Sequence, residues 1–298
     1  MWLLLALLAP ALWGVANTID SELINQRFTG VYPILVFSTL LNLIFLPVIF
    51  LFAMPELPTL HLLPYFVIIG ALDTVYRYPY YKALKADETS IVTALWSLGR
   101  IFVPLLAFLV VGEKLQPLHY VAFFLIVLAG SLLTLKGSFK EMRVNSSLYW
   151  MILAAFLTSC ETVIWKLLFE QTTWSTGFLW SGLLGSLPIV LATLCVPVLR
   201  RQVQSQVGAF HATIIPLAIE EAFTFVAGMI YTLALSLAPA TLVNGVGSVQ
   251  PFIVLFYAFI LQKFTKYKPK EEVATCSVIK KVVLFAVMAV GIVLIKEF

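Results

Sequence analysis

Residues 64–83 read Pro-Tyr-Phe-Val-Ile-Ile-Gly-Ala-Leu-Asp-Thr-Val-Tyr-Arg-Tyr-Pro-Tyr-Tyr-Lys-Ala. The run has the length of a membrane-crossing helix, about 17–25 residues. Asp73 and Arg77 stand in its middle. A charge at the centre of a bilayer costs at least ~2.5–3.5 kcal/mol. Arg100, Glu161, Glu220 and Glu221 lie equally deep in other apolar runs. Six such groups facing lipid would cost on the order of 15–20 kcal/mol. They are therefore expected to face one another or a wet cavity inside a helix bundle.

Composition supports this setting. The chain is 61% hydrophobic and 11% charged, where a soluble domain carries about 25% charged residues. Apolar runs fill the whole length, which excludes a soluble domain on a single anchor. Met1-Trp2-Leu3-Leu4-Leu5 lacks a basic leader region, and no small-residue cleavage site follows before the next run, so the first run reads as a retained span.

Ten spans are expected, at about 2–19, 31–53, 64–83, 89–111, 117–135, 148–168, 176–199, 211–236, 240–262 and 279–296. The loops after the odd-numbered spans carry nearly all the lysines and arginines, among them Arg27, Lys85, Lys136, Lys140, Arg143, Arg200 and Arg201. The positive-inside rule then puts the odd-numbered loops in the cytoplasm and both termini outside. The net charge of +4 lies in loops and points to an anionic inner leaflet, not to nucleic acid.

The chain also repeats itself. Aligned without a gap, residues 80–109 and 231–260 share 8 identities in 30 positions, including Tyr80 with Tyr231 and Ser97 with Ser248. Trp2 to Ala6 aligns with Trp150 to Ala154 in the same sense. Five spans per half force the halves to insert in opposite orientation. The expected fold is thus an all-α integral membrane bundle of two inverted five-helix repeats, 1–140 and 146–298. Inverted repeats are the architecture of alternating-access transporters, with substrate held near the midplane. One chain then suffices as a monomer, and a dimer stays open.

Ala9-Pro10-Ala11-Leu12-Trp13-Gly14 resembles the first span of EamA-type permeases of the drug/metabolite transporter (DMT) superfamily. So does the stretch from Tyr80-Tyr81-Lys82-Ala83-Leu84 to Val111-Gly112-Glu113-Lys114-Leu115. The resemblance implies a bacterial inner-membrane permease, and export more than uptake. Two positions depart from the family pattern. Arg100 stands where the family places a proline that the second half keeps as Pro251, and Gln262-Lys263 replaces the Gly-Glu turn in the second half.

The candidate substrate-binding residues are Trp13, Asp73, Tyr76, Arg77, Tyr80, Trp96, Arg100, Glu161, Glu220 and Gln250. Asp73 and Arg77 pair along one helix face at i,i+4, either as a pocket wall or as a self-neutralised structural pair. Arg100 needs an acid, a carbonyl or an anionic ligand, with Glu161, Glu220 and Asp73 the candidate acids. Adjacent Glu220 and Glu221 point about 100° apart on a helix, so one should face the cavity and the other a neighbouring helix. Both are candidates for proton coupling, since desolvation favours a neutral carboxyl. Asp20 is expected at the membrane interface, and Lys166 is expected to snorkel toward headgroups.

The expected activity is secondary transport of a small polar, zwitterionic or amphiphilic metabolite, with aromatic faces for its cationic or apolar part. Arg100 or Arg77 would hold a carboxylate or phosphate. Alternatives are a lipid or polyprenyl-phosphate flippase, an intramembrane enzyme, or a non-transporting membrane partner protein. Nucleophile-elbow, zincin and Walker motifs are absent, so an enzyme is not expected. Three scattered cysteines and three histidines near span ends give no metal-ligand spacing, and no metal or cofactor is expected.

Overall fold

The computed structural model describes residues 1–87, 89–132, 146–264 and 278–296. Glu88, Lys136, Lys140, Arg143, Cys276 and most of the lysine-rich stretch after Phe264 lie outside the described residues. The described residues form helices and no strands. In chain order these are α1 (Trp2–Glu22), α2 (Val31–Phe45), α3 (Leu63–Ala86), α4 (Thr89–Gly99), α5 (Phe102–Val110), α6 (Pro117–Leu132), α7 (Ser146–Phe169), α8 (Trp174–Cys195), α9 (Pro197–Ser205), α10 (Val207–Leu237), α11 (Ala240–Gly247), α12 (Gln250–Phe264) and α13 (Val278–Lys296).

Five of these are long and apolar enough to cross a membrane: α1 with its π-helical end to Arg27, α2 with its 3₁₀ extension to Leu51, and α7, α8 and α10. At 24 residues α3 is just as long, but it carries Asp73, Arg77, Lys82 and Lys85. Large apolar side chains point outward, with Leu4 74% and Leu109 66% exposed. Such surfaces suit lipid and not water. The chain is a multi-pass membrane protein.

The expected continuous spans at 89–111 and 240–262 are each broken, and this corrects the sequence reading. The first parts between α4 and α5 at Arg100-Ile101, the second between α11 and α12 at Ser248-Val249. Glycine ends the upstream piece in both, at Gly99 and Gly247, and a proline sits in the first turn of the downstream piece, at Pro104 and Pro251. Proline cannot donate to the preceding turn, and glycine favours helix ends. Short-range bonds bridge both breaks: Val103 N–H donates to Arg100 O at 2.9 Å, and Val249 N–H to Val246 O at 3.1 Å. The seventh span also ends early. Val196 is extended, and α9, bearing Arg200 and Arg201, starts at Pro197 as a separate helix with no buried residue.

The first and second halves interleave. α1 packs along α10, α3 along α7 and α8, and α6 along α13. Gly70 on α3 and Gly185 on α8 let their backbones touch, with no space for a Cβ on either. These crossings leave an open centre bounded by α1, α3, α7, α10 and the two helix breaks.

Candidate functional site

That centre is a cavity of about 200 Å³, well beyond the ~10–15 Å³ that one water needs. All ten candidate binding residues named from the sequence line it. Glu221 does not line it.

On α3 the helical repeat sets two rows. In the first, Arg77 Nη2 lies 3.4 Å from Asp73 Oδ2, and Arg77 Nη1 reaches across to Glu221 Oε1 on α10 at 3.2 Å. In the second, Tyr76 and Tyr80 each meet Trp96 edge-on, at 5.3 Å between ring centres. Trp96 is thereby fixed between two tyrosines, a geometry that the ring quadrupoles favour.

Glu220 and Glu221 divide as their helical angle demands. Glu221 is fully buried against α3 and pairs with Arg77. Glu220 lines the cavity, where Thr224 Oγ1 donates to its Oε1 at 2.8 Å and its Oε2 has no described partner. On α7, Trp165 Nε1 donates to Glu161 Oε1 at 3.1 Å and orients that carboxyl.

The partners of three residues are decided here. Arg100 finds no carboxylate among the described residues. Its Nη1 donates to the Asn244 carbonyl at 3.1 Å and its Nη2 to Gln250 Oε1 at 3.2 Å, both at the α11–α12 break. Of the acid, carbonyl and anionic ligand open to Arg100, the structure supplies the carbonyl, with the Gln250 amide beside it. Asp20 is not interfacial: it is 5% exposed and lines the cavity, accepting from Tyr81 Oη at 2.8 Å and Tyr80 Oη at 3.4 Å. Lys166 is tied to protein: its Nζ donates to Leu235 O and Ala238 O, each at 2.9 Å, and so satisfies carbonyls at the end of α10.

Other wall residues were not singled out from sequence. Asn17 accepts from Tyr80 Oη at 2.9 Å, and Tyr231 accepts from Asn244 Nδ2 at 2.7 Å while its ring packs on Trp13 at 5.2 Å. Both carried a signal. Trp13, Asn17 and Asp20 form one stripe at i, i+4 and i+7, and Tyr231 is the repeat partner of Tyr80.

Glu113 of the Gly-Glu turn has a structural task. Its carboxylate accepts from Ala240 N–H at 2.7 Å and Thr241 N–H at 3.1 Å, capping the start of α11. Gly112 turns the chain toward it at φ +71°, a conformation that glycine adopts without strain.

Residues 1–135 match the EamA-like transporter family, and that match includes the Pro10–Trp13 span, the α3–α5 stretch and the Gly-Glu turn. The likeness, to membrane transporters of the DMT type, covers a little under half of the chain. A solved crystal structure, described only as that of a protein, superposes on it with a TM-score of 0.61. Identity is 13%, over 98% of this chain and 94% of that chain. This likeness is one of fold alone, and it extends past residue 135. No curated protein matches the chain.

Proposed function

We propose that this chain is a secondary transporter that moves a small polar or amphiphilic metabolite by alternating access. One observation carries this: a metabolite-sized cavity lies where two broken helices meet, and nearly all of the chain's deep charges surround it. Broken helices at a midplane site are the transporter solution to binding polar groups inside a bilayer, since their free ends replace hydration.

In this reading ten spans form two inverted repeats, 1–140 and 146–298, in a bacterial inner membrane with the odd-numbered loops cytoplasmic. The packing supports it. Exchanging each helix for its repeat counterpart turns the α1–α10 contact into α7–α3, and α3–α8 into α10–α2, and all four are present. The α4–α5 and α11–α12 breaks are counterparts too.

Glu220 is the proposed proton carrier. It is buried, it borders the cavity, and one carboxyl oxygen has no described partner, so a proton there would compete with a cationic substrate group. Glu221 also keeps one oxygen without a described partner, but it pairs with Arg77 and does not border the cavity, which favours Glu220 for the role.

The test starts from a thermal-shift screen of purified protein against metabolites, followed by flux of the hits in proteoliposomes. The wild type should show counterflow and should accumulate the metabolite when a pH gradient is imposed. Glu220→Gln should keep counterflow and lose the accumulation. Accumulation by Glu220→Gln at the wild-type level would remove the proton role, and lipid scrambling without metabolite flux would replace this reading with a flippase.

A further inference from the structure

The cavity has two arginines in opposite situations. Arg77 sits between two carboxylates, Asp73 and Glu221. Arg100 is 6% exposed and, among the described residues, has only neutral acceptors, the Asn244 carbonyl and the Gln250 side chain. Its remaining donors have no described acceptor, and Nε is both buried and without a partner. A buried cation normally has an anion beside it, because its desolvation is otherwise uncompensated. Arg100 borders the cavity, so the missing anion has a place to sit.

The surroundings strengthen the case. Arg100 stands at the α4–α5 break and touches the residue that opens α12, Gln250. Pro251 has no N–H, and those of Phe252 and Ile253 donate to Val249 O, so the start of α12 adds its dipole, which favours negative charge, more than free donors. Gly247 presses on the guanidinium so closely that a Cβ there would overlap it, which fixes the fork in place.

We propose that Arg100, with the α12 start, is a subsite for the carboxylate of the transported metabolite. The proposal rests on the transport reading above and makes the substrate a carboxylate-bearing zwitterion or amphiphile. Arg77 is not the anion site, because its charge is already matched. A carboxylate fits better than a phosphate. The same cavity is bordered by Asp20, Asp73, Glu161 and Glu220, so a doubly charged anion would meet more repulsion than a singly charged one, whereas a planar carboxylate matches the planar fork. An ammonium or apolar part of the same molecule would lie toward those acids and the Trp96 ring.

Matched pairs test it on the full-length protein: benzoate with benzamide, phenylacetate with phenylacetamide, and L-phenylalanine with its amide, beside inorganic phosphate. Melting shifts and binding isotherms are compared in wild type, Arg100→Gln, Arg100→Lys and Gly247→Ala. At least one carboxylate should bind wild type on the order of tenfold or more tighter than its amide, the ratio expected for a charge-assisted hydrogen bond. That preference should vanish in Arg100→Gln, return in part in Arg100→Lys, and fall in Gly247→Ala, where every charge is kept but the fork must move. Equal binding of every acid and amide by wild type would overturn the subsite, and this comparison needs no folded variant. A preference that survives Arg100→Gln, or a preference for phosphate over every carboxylate, would overturn it as well. Carboxylate binding without counterflow would defeat the transport reading and leave the subsite standing. Counterflow of carboxylates unchanged in Arg100→Gln would do the reverse.

Discussion

Arg77 on α3 donates to Glu221 on α10 at 3.2 Å, and Glu221 is completely buried. The pair joins two helices that share the cavity wall, and it assigns the two adjacent glutamates of α10 to different tasks. Glu221 is the counter-ion of Arg77, while Glu220 faces the cavity; each keeps one oxygen with no described partner.

Removing one member should cost more than removing both. Arg77→Leu leaves the Glu221 carboxylate buried without its cation, and a loss of about 3–5 kcal/mol is expected. Glu221→Leu should cost less, because Arg77 keeps Asp73 at 3.4 Å. The Arg77→Leu, Glu221→Leu double variant should recover part of the loss of Arg77→Leu alone. Unfolding in detergent measures all three, and additive losses would show that the pair has no coupling.

The joint between α10 and α11 is held by two opposite charges. Lys166 takes the last carbonyls of α10 and Glu113 the first N–H groups of α11. Lys166→Met and Glu113→Ala should each cost about 1.5–3 kcal/mol, the range for hydrogen bonds to charged groups. Hydrogen exchange should accelerate first at residues 235–243. Acceleration spread evenly over the protein would argue against a local clamp.

The α3–α8 crossing depends on two missing side chains. A Cβ on Gly70 or on Gly185 would run into the facing backbone. Each Gly→Ala change should destabilise by about 1–3 kcal/mol through overpacking. Gly208 has nothing within 4 Å of a built Cβ, so Gly208→Ala should be neutral or stabilise by about 0.4–1 kcal/mol. Thermal unfolding of the three variants checks the contrast, and equal behaviour would show that close approach at Gly70 does not matter.

Much of this protein was legible as sequence. Charges set deep in apolar runs can persist only around a shared polar centre, because lipid offers them no solvation. That constraint alone brought Asp73, Arg77, Arg100, Glu161 and Glu220 to one cavity wall. Helical periodicity paired Asp73 with Arg77 and split Glu220 from Glu221, and the internal repeat pointed to Tyr231 through Tyr80. The tertiary structure decided the partners. Sequence left Arg100 an acid, a carbonyl or an anionic ligand, and the broken α11–α12 helix supplied a carbonyl and an amide, with no carboxylate beside it among the described residues. Asp20 was misplaced because a residue near the end of an apolar run can face the membrane surface or turn inward, and only the neighbouring helix, here through Tyr81, determines which costs less.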